Sequence, residues 1–287
     1  MSDIISKSEY FYLRELFSPV FPKKSILILK KTKNIWNKIQ NINIEKDDCK
    51  SILKKVYNSF IKYYPFEYVY KNELLKYILK IEKYKNEYLS VITEIRVGDA
   101  KADFVFINGC SEVFEIKTPL DTLNRLSKQL NMYFKVFDKV SLLIDKKYID
   151  ILKELDCYKY LGIFLLENKK IIQIKEAKLN THKLDYILAF NILRKEEVIN
   201  VIKYEFNKNI SYLPNIELSL IARELFNKID EDKARGYIRE ELKKRNYINR
   251  SKIKKYPSSL SLMINNINKD SELLNLTEIL NKNIREL

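Results

Sequence analysis

KADFVFINGCSEVFEIKTPLD, residues 101–121, is the stretch on which the fold turns. Two runs rich in β-branched and aromatic residues, ADFVFI and EVFEIK, flank Asn108-Gly109, a strong hairpin signal. Strand alternation places Asp103, Val105 and Ile107 on one face of the first run, opposite Phe104 and Phe106. In the second run Val113, Glu115 and Lys117 share a face, opposite Phe114 and Ile116. Both faces carry apolar side chains, so the hairpin reads as part of a sheet covered on both sides. Asp103, Glu115 and Lys117 then sit where apolar residues would be expected. Loop length decides whether they meet. A two-residue loop pairs Ile107 with Cys110 and sends the two acids to opposite faces. A three-residue loop, Asn108-Gly109-Cys110, pairs Ile107 with Ser111 and Asp103 with Glu115. An odd loop or a bulge is predicted, because only then does the trio converge.

Working outward, 46–64 and 70–81 repeat apolar residues at helical spacing (Ile52, Leu53, Val56, Phe60; Leu74, Leu75, Ile78, Leu79). SVITEIRV then supplies a strand before the hairpin, making a meander of three. The segment 121–137 reads as a helix with Leu123, Leu126, Leu130, Phe134 and Phe137 on one face and Pro119 and Asp121 near its start. KVSLLI follows as a strand. Strand, helix and strand form a crossover unit, so the two strands are predicted to be parallel with a right-handed connection. After a short helix, YIDILKEL, come two more short strands, YLGIFLLE and KIIQIKEA, and from about 184 the chain returns to helix. The expected fold is α/β: a small mixed sheet flanked by helices, with N- and C-terminal helical extensions. The regions are 1–69 (helical), 70–180 (core) and 181–287 (helical).

Composition narrows the function. The 287 residues carry 53 Lys and Arg against 38 Asp and Glu, a net charge of +15, which suits a polyanionic partner such as nucleic acid. Richness in Lys, Asn, Ile and Tyr is also what an AT-rich genome produces, so the charge alone is not decisive. No apolar run approaches the roughly 18–20 residues of a membrane span, and no signal-peptide core opens the chain. Cys49, Cys110 and Cys157 are far apart and lack metal-ligand spacing, so they read as free thiols in a reducing cytoplasm. The single histidine, His182, lies far from the trio in sequence and disfavours a histidine-based or zinc site.

Two carboxylates side by side repel unless a cation lies between them. Such hard oxygen donors suit Mg²⁺ or Mn²⁺, which take few protein ligands and keep waters. Asp103, eleven intervening residues, then Glu115-Ile116-Lys117 resembles the Asp…Glu-x-Lys signature of the PD-(D/E)XK, or restriction-endonuclease-like, nuclease superfamily. Within it the chain looks most similar to uncharacterised bacterial members with a variable helical C-terminus. The resemblance covers about residues 70–175; the signature is short, and its hairpin and crossover context gives it weight. Ala102 stands where the name-giving proline would be.

The resemblance implies a restriction-endonuclease-like core and a Mg²⁺- or Mn²⁺-dependent phosphodiesterase acting on nucleic acid, DNA first, with RNA as a lesser option. Asp103 and Glu115 would hold the metal, with the backbone carbonyl of Ile116, and Lys117 would position the attacking water. Glu73 would support the metal from the preceding helix, with Glu94 on the first strand as the competing candidate. Gln129 and Tyr133, four apart on the crossover helix, match the Gln-x-x-x-Tyr spacing of the RecB-like branch, where it lies beside the active site. The competing reading is a catalytically silent nucleic-acid-binding or assembly module of a larger bacterial system, with the C-terminal helices meeting a protein partner. An ordinary cross-strand ion pair is the plainest account of the trio, but its apolar neighbours argue against a solvent-facing strand.

Overall fold

The computed structural model describes residues 5–39, 42–43, 46–81, 84 and 88–282, so residues 1–4 and 283–287 of the two terminal regions lie outside the described residues. Helices α1 (Lys7–Leu13), α2 (Phe21–Trp36), α3 (Cys49–Tyr63) and α4 (Glu67–Lys80) precede the sheet. The middle of the chain runs β1 (Ser90–Val97), β2 (Ala100–Ile107), β3 (Ser111–Lys117), α5 (Leu126–Phe134), β4 (Lys139–Ile144), α6 (Ile149–Leu152), β5 (Gly162–Glu167) and β6 (Lys170–Lys175). Helices α7 (Tyr186–Ile192), α8 (Lys195–Phe206), α9 (Asn215–Phe226), α10 (Glu231–Lys244), α11 (Arg250–Lys254), α12 (Ser261–Asn266) and α13 (Asp270–Leu280) follow.

The six strands lie in chain order across one mixed sheet. β1, β2 and β3 form an antiparallel meander, β3, β4 and β5 are parallel, and β6 returns antiparallel to β5. The protein is therefore a mixed α/β protein with helices on both faces of its sheet. None of the helices among the described residues is long and apolar enough to cross a membrane.

The hairpin has the three-residue loop. Ile107 pairs with Ser111, and the ladder runs to Phe104 opposite Phe114. Gly109 makes the loop possible: its φ of 104° is a conformation that side-chain-bearing residues rarely adopt, although a Cβ would meet nothing there.

Alternation sorts the sheet into two cores. Phe104, Phe106, Phe114 and Ile116 pack with α1–α4 and with α11–α13. Val105, Ile107 and Val113 pack on the other side with α5 and α7–α10. Each fully buried Phe or Ile contributes about 1.5–3 kcal/mol of apolar transfer free energy, and this drives the layers together. The C-terminal helices thus divide between the faces, and the last of them return to the N-terminal ones; the Cys49 amide donates to the Lys282 carbonyl at 3.3 Å.

Two sequence expectations need correction. The crossover helix is shorter than 121–137. Asp121 accepts from the Thr118 amide at 2.8 Å and the Thr118 hydroxyl at 2.7 Å, closing a turn that competes with helix, and α5 starts only at Leu126. The helical run from 184 is broken at Leu193 and Arg194, both extended, and Glu197 restarts it by accepting the Arg194 amide at 2.7 Å.

The sheet has one irregularity beside the trio. Thr93 pairs with Phe104 and Ile95 with Ala102, but Glu94, with φ of 65°, has no partner between them. The pair of strands turns over there. Val91 and Phe104 belong to one core, whereas Ile95 and Ala102 belong to the other. A non-glycine residue held in the left-handed region is strained, and such strain collects at functional sites.

Candidate active site

The site forms where β2 and β3 part. Beyond Phe104–Phe114 the backbone ladder stops, and the Asp103 carboxylate takes over by accepting the Ile116 amide at 2.8 Å. That bond keeps Asp103 beside Glu115, one residue earlier on β3.

Glu115 is 1% exposed and both its oxygens are engaged. Oε1 accepts from Lys117 Nζ at 2.6 Å, and Oε2 accepts from the Tyr133 hydroxyl at 2.8 Å. Lys117, two residues on and on the same face, also donates to Gln129 Oε1 at 3.0 Å. Tyr133 lies on the face of α5 that buries Leu126 and Leu130 in the core, and Gln129, half-buried four residues earlier, sits at the edge of that face. Gln129, Lys117, Glu115 and Tyr133 thus form one hydrogen-bonded chain, with Asp103 at its side.

Its electrostatics are those of a site short of positive charge. Burial, then the charges of Glu115 and Glu67, push the Asp103 carboxyl up to about 8, against partial relief from Lys71 and the Ile116 amide. Burial also raises the Tyr133 phenol, with the neighbouring Glu115 charge adding to it, so Tyr133 is a hydrogen-bond donor at neutral pH. Burial would depress the Lys71 ammonium, but Glu67, Asp103 and Glu94 outweigh it and hold it above its ordinary value.

The second acid expected of the preceding helix is placed differently. Glu73 points away from the trio: it is buried between α3 and α4, where it accepts from the Tyr57 hydroxyl at 2.8 Å and from Lys76 at 2.7 and 2.8 Å. Glu67, not singled out from the sequence, is the α4 carboxylate whose charge reaches Asp103. Glu67 and Glu73 are six positions apart on α4, which turns them to different sides. Glu67 pairs with Lys71 one turn on, and Lys71 also reaches Glu94 at 3.4 Å. Glu94 sits at the rim, half exposed, with Lys101 at 2.5 Å; that bond is the main reason its carboxyl is held below the usual range. Pro65 followed by a carboxylate in the first helical turn was the signal that could have found Glu67.

Of the residues expected at the site, Asp103, Glu115, Ile116, Lys117, Gln129 and Tyr133 are brought together, Glu94 lies at the edge, and Glu73 is elsewhere. The donor set is all hard oxygen, and Asp103 carries a charge conflict that a cation relieves, which fits Mg²⁺ or Mn²⁺ bound through one or two carboxylates and waters. Among the described residues, no group of three or more His, Cys, Asp or Glu side chains forms a ready-made cage. His182 instead lies against the rings of Phe134 and Tyr160, far from any such role.

Fold and site together define a mixed α/β protein with a buried acid–lysine cluster at a split in its meander. The model of the bacteriophage P4 protein cII family matches residues 62–264, which include every residue of the cluster, and the chain belongs to that family. No curated protein matches it. Among solved structures, the SPO1766 protein of unknown function from Silicibacter pomeroyi is similar at 11% identity, over 44% of this chain and 86% of that one, with a TM-score of 0.29.

Proposed function

We propose that this protein is a divalent-metal-dependent nuclease that hydrolyses phosphodiester bonds, of DNA first. The observation that carries the reading is the convergence of Asp103, Glu115 and Lys117, with Gln129 and Tyr133 bonded behind them, where β2 and β3 separate. The finer fold, a restriction-endonuclease-like core, is supported by the meander, the crossover helix and the parallel β4 around that cluster. The net charge of +15 supports a polyanionic substrate.

Asp103 and Glu115 would hold Mg²⁺ or Mn²⁺ together with the Ile116 backbone carbonyl, and the Glu67 carboxylate adds negative charge beside Asp103. Such an ion, when bound, polarises a phosphoryl oxygen and acidifies a water. The chain's own residues then do the positioning. Lys117 has two of its three N–H donors committed to Glu115 and Gln129, which leaves one for the attacking water or a phosphoryl oxygen. Gln129 keeps that ammonium from collapsing fully onto Glu115. Tyr133 holds Glu115 in one rotamer, and the buried surroundings strengthen each of these interactions. Water attacks phosphorus, the P–O bond on the opposite side breaks, and the departing oxygen takes up a proton.

Plasmid, linear duplex, single-stranded DNA and RNA incubated with Mg²⁺ or Mn²⁺ test the reading, with Glu115→Gln in parallel. Cleavage by the wild type alone is the expected result; equal cleavage by both proteins overturns it. One observation favours a second reading: both Glu115 oxygens are already satisfied within the protein, as in a module that binds nucleic acid without cutting it. Salt-sensitive binding with no cleavage in either metal would select that reading.

A further inference from the structure

A cleft of about 550 Å³ adjoins the site. Its wall shares Glu67, Lys71 and Glu94 with the surroundings of Asp103, and it extends from there to Phe11, Arg14 and Phe66 at the N-terminal helices. Phe11 is 62% exposed, unlike the aromatic side chains packed in the core beside it. The Arg14 guanidinium lies over two rings, 4.9 Å from the Phe66 centroid and 5.6 Å from that of Phe11.

The charges of the wall are satisfied except at one point. Glu15 pairs with Lys31 at 2.6 Å, Glu272 with Lys23 at 3.7 Å, Glu94 with Lys101, and Glu67 with Lys71. Arg14, among the described residues, meets aromatic rings and no carboxylate. A guanidinium has five N–H donors and no acceptor, and beside two rings it suits a ligand that brings both an anion and a flat π-face. A nucleotide is such a ligand.

We infer that this cleft holds one unpaired nucleotide of the nucleic-acid strand whose backbone passes the Asp103–Glu115 cluster, with Arg14 on a phosphate and the base against Phe11. The inference rests on the nuclease reading for the identity of the strand. Size makes it specific. A cleft of this volume takes a small-molecule-sized group, whereas a base pair with both its backbones does not enter, so the nucleotide must be out of the duplex stack. Substrates with single-stranded or frayed segments are then preferred to blunt duplex.

Binding, measured without cleavage, tests this. Fluorescence anisotropy in EDTA compares a labelled single-stranded oligonucleotide with a blunt hairpin duplex, using the full-length chain carrying Glu115→Gln. Phe11→Ala and Arg14→Ala are then added singly, and melting temperature is checked for each. Phe11→Ala removes an exposed ring, so folding is retained. Each substitution should weaken single-strand binding about tenfold or more, the loss expected for one stacked base, and leave duplex binding unchanged. Unchanged single-strand affinity in Phe11→Ala, or equal losses on both substrates, overturns the inference. Its failure is separable from that of the nuclease reading: wild-type cleavage with single-strand binding that Phe11→Ala leaves unchanged keeps the nuclease and removes the cleft, and Phe11-dependent binding without cleavage keeps the cleft and removes the nuclease.

Discussion

Replacing Lys117 by Met while keeping Glu115 tests the electrostatic description of the site most stringently. The two side chains are 10% and 2% exposed and 2.6 Å apart, so solvent does little to screen them. Removing the ammonium strands a buried carboxylate on the Tyr133 hydroxyl alone. Breaking one side of a buried pair costs about 3–5 kcal/mol, well above the ~0–1 kcal/mol of a surface pair. Glu115→Gln removes the carboxylate charge but keeps an amide oxygen able to accept a bond, so about 1–3 kcal/mol is expected. In the double variant neither charge remains, and its cost should fall short of the summed single costs by about 2 kcal/mol or more. Urea unfolding in EDTA, with the denaturant slope compared across variants, gives all four stabilities. Mg²⁺ should then restore more stability to Lys117→Met than it adds to the wild type, because the ion takes the ammonium's electrostatic place. Additivity within about 0.5 kcal/mol, or a cost below about 1 kcal/mol for Lys117→Met, would mean that the Glu115–Lys117 pair is not electrostatically coupled in the buried site.

Asp103 makes stability depend on pH. Its carboxyl is pushed up to about 8 from an ordinary 3.8, so between those values the folded state holds the proton more often than the unfolded state does. In EDTA that contribution should fall as pH rises from about 4 to about 8, at no more than about 1.4 kcal/mol per unit, and Asp103→Asn should flatten the slope; matching slopes for wild type and variant would contradict this. Tyr133→Phe should lower cleavage about 10–100-fold, as loss of a supporting bond behind a ligand does, while the fold survives. Glu73→Gln should lower melting temperature without changing the Mg²⁺ concentration that half-saturates cleavage, whereas Glu67→Gln should shift that concentration and leave melting nearly unchanged. The opposite pattern would return Glu73 to the site.

The parts of the fold legible in the sequence were those governed by local periodicity. The alternation in 101–117 and the need to bring Asp103 and Glu115 to one face yielded the three-residue loop and the two-sided sheet. The four-residue spacing of Gln129 and Tyr133 yielded their shared face. Features set by competition between neighbours were hidden. Asp121 caps a turn rather than a helix because Thr118 offers it two donors. Glu94 adopts a left-handed backbone that no residue preference announces. Glu73 fits the sequence pattern because it sits in a helix ahead of the sheet, but helical phase turns it toward Tyr57, and Glu67 escapes the pattern because the helix begins earlier than its apolar repeat. The return of α11–α13 to the N-terminal helices is a long-range packing result that no local pattern encodes.

The central claim is that Asp103, Glu115 and Lys117 direct hydrolysis of a phosphodiester. Incubating oligonucleotide with wild type or Glu115→Gln in ¹⁸O-labelled water, with Mg²⁺ or with EDTA, and weighing the fragments by mass spectrometry tests it directly. Fragments whose new terminal phosphate carries the label are expected from the wild type with Mg²⁺ alone. Intact oligonucleotide in every reaction, or labelled fragments from both proteins alike, would contradict it.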